Sequence, residues 1–132
     1  MGKTNLVHRF VKASQDTKNI SPTIGVEFGT RMITLSDHKK IKTQIWDTGK
    51  MVTIKLGRNN IDRLPLRKSD LNYRHYRKAL GAIVVYDITK ERTFINVRRW
   101  IESIRDQADP NVVITLVGNK IDLRERQEVS TM

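Results

Sequence analysis

Three short stretches carry residue types that chemistry on a phosphorylated base would need. Gly2-Lys3-Thr4 supplies a cation, a hydroxyl and backbone N–H groups where a helix begins. That set suits phosphate and Mg2+, because helix-start N–H groups and a lysine meet the phosphate oxygens. It is the second half of the pattern G-x-x-x-x-G-K-[ST]. Asp47 closes an apolar stretch, and a carboxylate at a strand end can hold Mg2+ through water. Asn119-Lys120-Ile121-Asp122 follows the run VVITLVG. Its aspartate can accept the N1–H and 2-amino donors of guanine, a pair that adenine lacks. The lysine stem can lie over the base, and the asparagine can brace the loop. Thr23, in Thr23-Ile24-Gly25, adds a hydroxyl within reach of a terminal phosphate and its metal. Each feature alone has a plainer reading: a helix start, a strand terminator, a polar loop. The N-K-x-D run is the most specific of them. In this order, each at the edge of an element, they argue together for a guanine-nucleotide site.

The elements that must position these residues are legible in the apolar pattern. Leu6, Val7, Phe10 and Val11 make one face of a helix over Lys3 to Ala13, with Lys3, Asn5, His8, Arg9 and Lys12 mostly outside. Ser14 to Pro22 reads as a loop. Gly25 to Leu35 and Ile41 to Asp47 predict two strands joined at Ser36-Asp37-His38, a hairpin. Ala79 to Tyr86 and Val112 to Val117 are short apolar runs of the kind buried on both faces of a parallel sheet. Between them Phe94, Val97, Ile101 and Ile104 predict a helix over Thr93 to Ala108, broken at Asp109-Pro110. Strand, helix, strand with buried runs predicts an α/β fold, a mostly parallel sheet flanked by helices. Ligands then gather at the carboxyl ends of the strands, where Asp47, Asp87 and Asn119 to Asp122 lie.

Composition narrows the alternatives. The chain has 132 residues, no cysteine and a net charge of +11. Without cysteine there are no disulfides and no thiolate-ligated zinc, which fits a reducing compartment and a cytoplasmic setting. No apolar run approaches the roughly 20 residues of a membrane span. No secretory signal opens the chain, Leu6 spoils an N-myristoylation pattern, and no cysteine is present for prenylation. The charge is local: residues 50–78 net +7 and the rest +4. That segment lacks the stacking aromatics of a nucleic-acid binder, so no nucleic-acid partner is expected. The three histidines show no metal spacing, and no Ser/His/Asp set or paired carboxylates can be assembled.

The chain closely resembles a Rab-type small GTPase, a phosphate-loop NTPase of the Ras superfamily. The stretches that carry the resemblance are GKTNLVHRF, SPTIGVEFGTRMI, QIWDTG, HYRKALGAIVVYDIT, TFINVRRW and VVITLVGNKIDL, within residues 1–49 and 73–132. The IGVEF stretch looks like the Rab signature of the first switch. The resemblance implies a vesicle-trafficking switch that binds GTP or GDP with Mg2+ and hydrolyses GTP slowly. Its partners would be trafficking effectors and exchange factors. Gly2, Lys3, Thr4, Thr23, Asn119, Lys120 and Asp122 would bind the nucleotide. Thr4, Thr23 and Asp47 would serve Mg2+, Asp47 through water. The family acts on endomembranes.

The departures from the family pattern set further expectations. Its opening strand, central in the family's sheet, and the first part of its phosphate loop have no counterpart before Gly2. The final strand, last helix and lipidated tail have none after Asp122. The family's D-T-A-G-Q-E reads Asp47-Thr48-Gly49-Lys50 here, without the glutamine that orients the attacking water. Residues 1–132 are thus expected to form a single partial domain with impaired binding and hydrolysis. Residues 50–72 would be an unrelated basic insert, irregular in structure. Two alternatives stand beside this reading: a non-catalytic fragment that displays the switch hairpin, and a mis-spliced product without activity.

Overall fold

In the computed structural model, residues 2–12, 26–48, 52–56 and 78–130 are described, with Val26 and residues 52–56 described as backbone only. The elements are α1 (Lys3–Lys12), β1 (Val26–Thr34), β2 (Lys40–Thr48), β3 (Val52–Leu56), β4 (Gly81–Asp87), α2 (Glu91–Gln107) and β5 (Val113–Asn119). A short 3-10 helix, Ile121–Arg126, follows. The strands form one sheet in the order β1-β2-β3-β4-β5. Among the described residues no helix is long and apolar enough to cross a membrane.

The expected hairpin is present. β1 and β2 pair from Val26↔Thr48 to Thr34↔Lys40. Its turn closes with Leu35 N–H donating to the Lys39 carbonyl at 2.8 Å and His38 N–H to the Leu35 carbonyl at 3.0 Å, His38 taking a left-handed φ of 62°. Along β2 burial alternates, so Thr43, Ile45 and Asp47 share the inward face.

The two helices lie on opposite faces of the sheet. Val7 of α1 packs on Ile45, with Val11 and Ile83 beside it. Val97 and Ile104 of α2 pack on Ala82 and Val84. Residues 82 and 84 alternate with 83 and 85 along β4, so this strand is covered from both sides. The hold of α1 is thin. Leu6, Val7 and Phe10 border an apolar pocket of about 290 Å3 together with Ile45, Ile83, Val85 and Val117. Leu6 and Phe10 remain well exposed.

The α/β class stands, with β4 and β5 parallel and joined through α2. The balance of strand directions differs from the expected mostly parallel sheet. β1–β2, β2–β3 and β3–β4 are all antiparallel. The cause is β3, which occupies the centre. Residues 52–56 were expected to be irregular. They instead form a strand, hydrogen-bonded to β2 on one side and to β4 on the other. Their sequence suits it: Val52, Ile54 and Leu56 alternate with Thr53 and Lys55. The rest of the expected insert, and the loop expected over Ser14 to Pro22, lie outside the described residues.

A second difference concerns β5. Its apolar run predicted burial on both faces, yet Val113 and Leu116 are exposed, at 66% and 45%. Val113 and Leu116 lie on opposite faces of β5, which among the described residues pairs only with β4 and is the sheet edge, so each face is covered only in part.

Candidate functional site

Strand direction gathers the site. β2 is antiparallel to β3 and β3 to β4, so β2 and β4 run the same way, and β5 runs parallel to β4. The carboxyl ends of these three strands therefore share one end of the sheet. Period-two alternation then sets the face. Ile45, Val85 and Val117 border the pocket beneath α1. Two residues further along each strand come Asp47, Asp87 and Asn119, on that same face. The first turn of α1 meets them there.

Asp47 is fully buried and accepts a hydrogen bond from the Thr4 hydroxyl at 2.5 Å. Its other oxygen, Oδ1, is buried and has no hydrogen-bond partner among the described residues. Burial raises the Asp47 carboxyl above its usual value, while the Thr4 hydrogen bond and the Lys3 charge pull it down and Glu27 adds to the rise. Lys3 is buried too, at 8% exposure, although the helical pattern placed it outside. The reason is its position in the first turn, against the sheet end rather than over the helix flank. Burial lowers its ammonium below the ordinary lysine value, and the Asp47 charge opposes that shift. A buried carboxylate with an unsatisfied oxygen, a hydroxyl on its partner oxygen and an ammonium beside it fit a hydrated divalent cation next to phosphate.

Gly2 links this cluster to the N-K-x-D run. Its φ is +82°, and a β-carbon there would come to 2.5 Å from Asn119 Nδ2. Only glycine gives both the conformation and the space. The Gly2 carbonyl accepts the Leu6 N–H at 3.2 Å, closing the first turn. Asn119 ends β5 in register with Asp87, the last residue of β4. Lys120 then turns the chain in a left-handed conformation, φ 69° and ψ 39°, into the 3-10 helix whose first turn contains Asp122. Asp122 is exposed.

Asp87 is a member that motif reading left without a role. It is 1% exposed, and its Oδ2 forms an ion pair with Lys120 Nζ at 2.6 Å. Its Oδ1 accepts the Thr89 N–H at 3.0 Å and the Thr89 hydroxyl at 2.7 Å. Burial pushes the carboxyl up, but Lys120 and the two Thr89 donors outweigh it and bring it down to about 2. Backbone bonds tie the loops together: Ile88 N–H donates to the Asn119 carbonyl at 3.1 Å, and Glu128 and Val129 N–H groups donate to the Ile88 carbonyl. The signal was in the sequence as a strand-end aspartate beside a strand-end asparagine, but the pairing needs the sheet register.

Of the residues expected at the site, Gly2, Lys3, Thr4, Asp47, Asn119, Lys120 and Asp122 are described, and the sheet end carries them all. Thr23 lies outside the described residues. Among the described residues no group of three His, Cys, Asp or Glu could hold a metal ion by itself. A cation here would therefore draw most of its ligands from water and phosphate.

Residues 66–132 match the model of the Ras family, and residues 1–55 match that of the Ras of Complex (Roc) domain of DAPkinase. The chain is 47% identical to GTP-binding protein ypt3 of Schizosaccharomyces pombe over 131 residues, 99% of this chain and 54% of that protein. It is 46% identical over 131 residues both to Ras-related protein YPTC6 of Chlamydomonas reinhardtii and to Ras-related protein Rab11B of Nicotiana tabacum, covering 53% of each. The chain thus spans about half the length of the curated relatives it matches. With half of its residues matched by the family model, the chain belongs to the Ras family.

Proposed function

We propose that the chain is a GTP-binding switch of intracellular vesicle traffic, with slow hydrolysis. The observation that carries this reading is the convergence of Gly2-Lys3-Thr4, Asp47 and Asn119 to Asp122 at one end of the sheet, through the Thr4–Asp47 hydrogen bond and the Gly2–Asn119 contact. In this reading Lys3 and the α1 N–H groups meet the phosphates, and Thr4 and Asp47 hold Mg2+. The ion would supply charge neutralisation of the phosphate oxygens. Asp122 accepts the two guanine donors, the Lys120 stem covers the base, and Asn119 braces Gly2. Thr23 would sense the terminal phosphate. Hydrolysis is slow because the run Asp47-Thr48-Gly49-Lys50 offers no glutamine to orient water. The setting is cytoplasmic, with action at endomembranes, and trafficking effectors and exchange factors are its partners.

The test is a titration of the chain with a fluorescent guanine nucleotide and Mg2+, followed by single-turnover hydrolysis of GTP. Saturable binding with hydrolysis well below that of an intact Rab is expected. Hydrolysis at ordinary Rab rates would refute the catalytic half of the reading.

One feature favours a second reading, an interaction fragment. Phe28 is 45% exposed and packs tilted against Trp46, ring centroids 4.8 Å apart and planes at 55°, on the hairpin face opposite Ile45. Nucleotide-independent capture of an effector, lost in Phe28→Ala, would support it.

A further inference from the structure

We infer that Asp87 is a positioning residue for guanine recognition, acting through Lys120, an inference that rests on the guanine-nucleotide reading above. The carboxylate is 1% exposed, and a buried charge is costly unless it is paired. Thr89 satisfies Oδ1 with two donors. That leaves Oδ2 directed to the ammonium of Lys120, 2.6 Å away.

Both ends of the Lys120 side chain are thereby fixed. At the backbone, Asn119 is in register with Asp87, and Lys120 itself holds a left-handed turn that non-glycine residues adopt only when their surroundings enforce it. At the tip, the ammonium is held by a carboxylate from the neighbouring strand. The methylene stem runs between the two, with the side chain 34% exposed. Lys120 therefore offers the base an apolar stem of set direction, and its charge is engaged by Asp87 rather than by phosphate. A free lysine would lose several rotatable bonds on covering a base, a loss of about tenfold in affinity or more. Asp87 bears that ordering before the ligand arrives.

The experiment compares binding of MgGDP and of Mg-inosine diphosphate, which lacks the 2-amino group, by the full chain and four variants. Asp87→Asn keeps an acceptor for Thr89 but no charge for Lys120. Lys120→Met keeps an apolar stem without an ammonium. The double variant carries both, and Asp122→Asn controls for edge reading. Asp87→Asn is expected to weaken both nucleotides about tenfold. The ratio between them should stay constant, since the stem reads no base edge, whereas Asp122→Asn shifts that ratio. In the Lys120→Met background Asp87→Asn should cost nothing further. Unchanged binding in Asp87→Asn, or an equal loss in the Lys120→Met background, would overturn the inference and leave the guanine-nucleotide reading intact. Absence of MgGDP binding by the unsubstituted chain would overturn both. One readout needs no variant: the Lys120 ammonium should show slow hydrogen exchange in 15N spectra of the unsubstituted chain. Exchange as fast as that of the surface lysines would contradict its tether.

Discussion

Gly2 and Asn119 stand in contact across the end of the sheet, 117 positions apart in sequence, so close that a β-carbon on Gly2 would lie 2.5 Å from Asn119 Nδ2. The phosphate-type run and the base-type run thus meet at this point. Gly2→Ala must meet both that clash and the left-handed φ of 82°. A non-glycine residue in such a conformation costs about 1–3 kcal/mol. The expected outcome is weaker nucleotide binding with a small drop in melting temperature, checked by titration and thermal denaturation of the same variant.

Thr4→Val removes the hydroxyl that serves Asp47 while keeping side-chain volume. Asp47 Oδ2 then loses its Thr4 hydrogen bond, and a buried acceptor without its partner costs about 1–3 kcal/mol. The gain in nucleotide affinity that Mg2+ confers should shrink about tenfold or more, by the same energy. Titrations with and without Mg2+ give that ratio directly.

Asp87 contributes an acid-sensitive part of the stability. Its carboxyl sits at about 2 in the folded chain against an ordinary 3.8, so the folded state keeps it charged to lower pH than the unfolded state does. The resulting stabilisation is fully present above about pH 4 and is lost as pH falls toward 2, about 2 kcal/mol in all. Chemical denaturation from pH 5 to 2 should show this slope, flattened in Asp87→Asn.

Ile104 is fully buried between α2 and the sheet, against Ala82, Val84 and Val97. Ile104→Ala should lower stability by about 2–5 kcal/mol. This contact lies on the face away from α1, so nucleotide affinity measured where the variant is folded should change little.

How much of this was legible in the sequence follows from what each signal encodes. The strand-end positions of Asp47 and Asn119 came through because an apolar run ending in a polar residue marks a strand leaving the core. The hairpin came through because Ser36-Asp37-His38 combines turn chemistry with alternation on both sides. Burial of Lys3 did not, because a helical pattern records which residues share a face and not what the first turn abuts. The strand Val52–Leu56 did not, because five residues in a basic stretch carry too little periodicity, and its stability comes from hydrogen bonds to β2 and β4. The exposure of Val113 and Leu116 did not, because an apolar run states what a strand can bury, not what covers it. The Asp87–Lys120 ion pair needed the parallel register of β4 and β5, which no local pattern specifies.

The central claim is that the gathered sheet end reads guanine. Its most direct measure is the equilibrium binding of MgGDP and MgADP to the full chain and to Asp122→Asn. Binding of MgGDP with clear preference over MgADP, the preference collapsing in Asp122→Asn, is the expected result. Equal binding of the two nucleotides, or none of either, would contradict it.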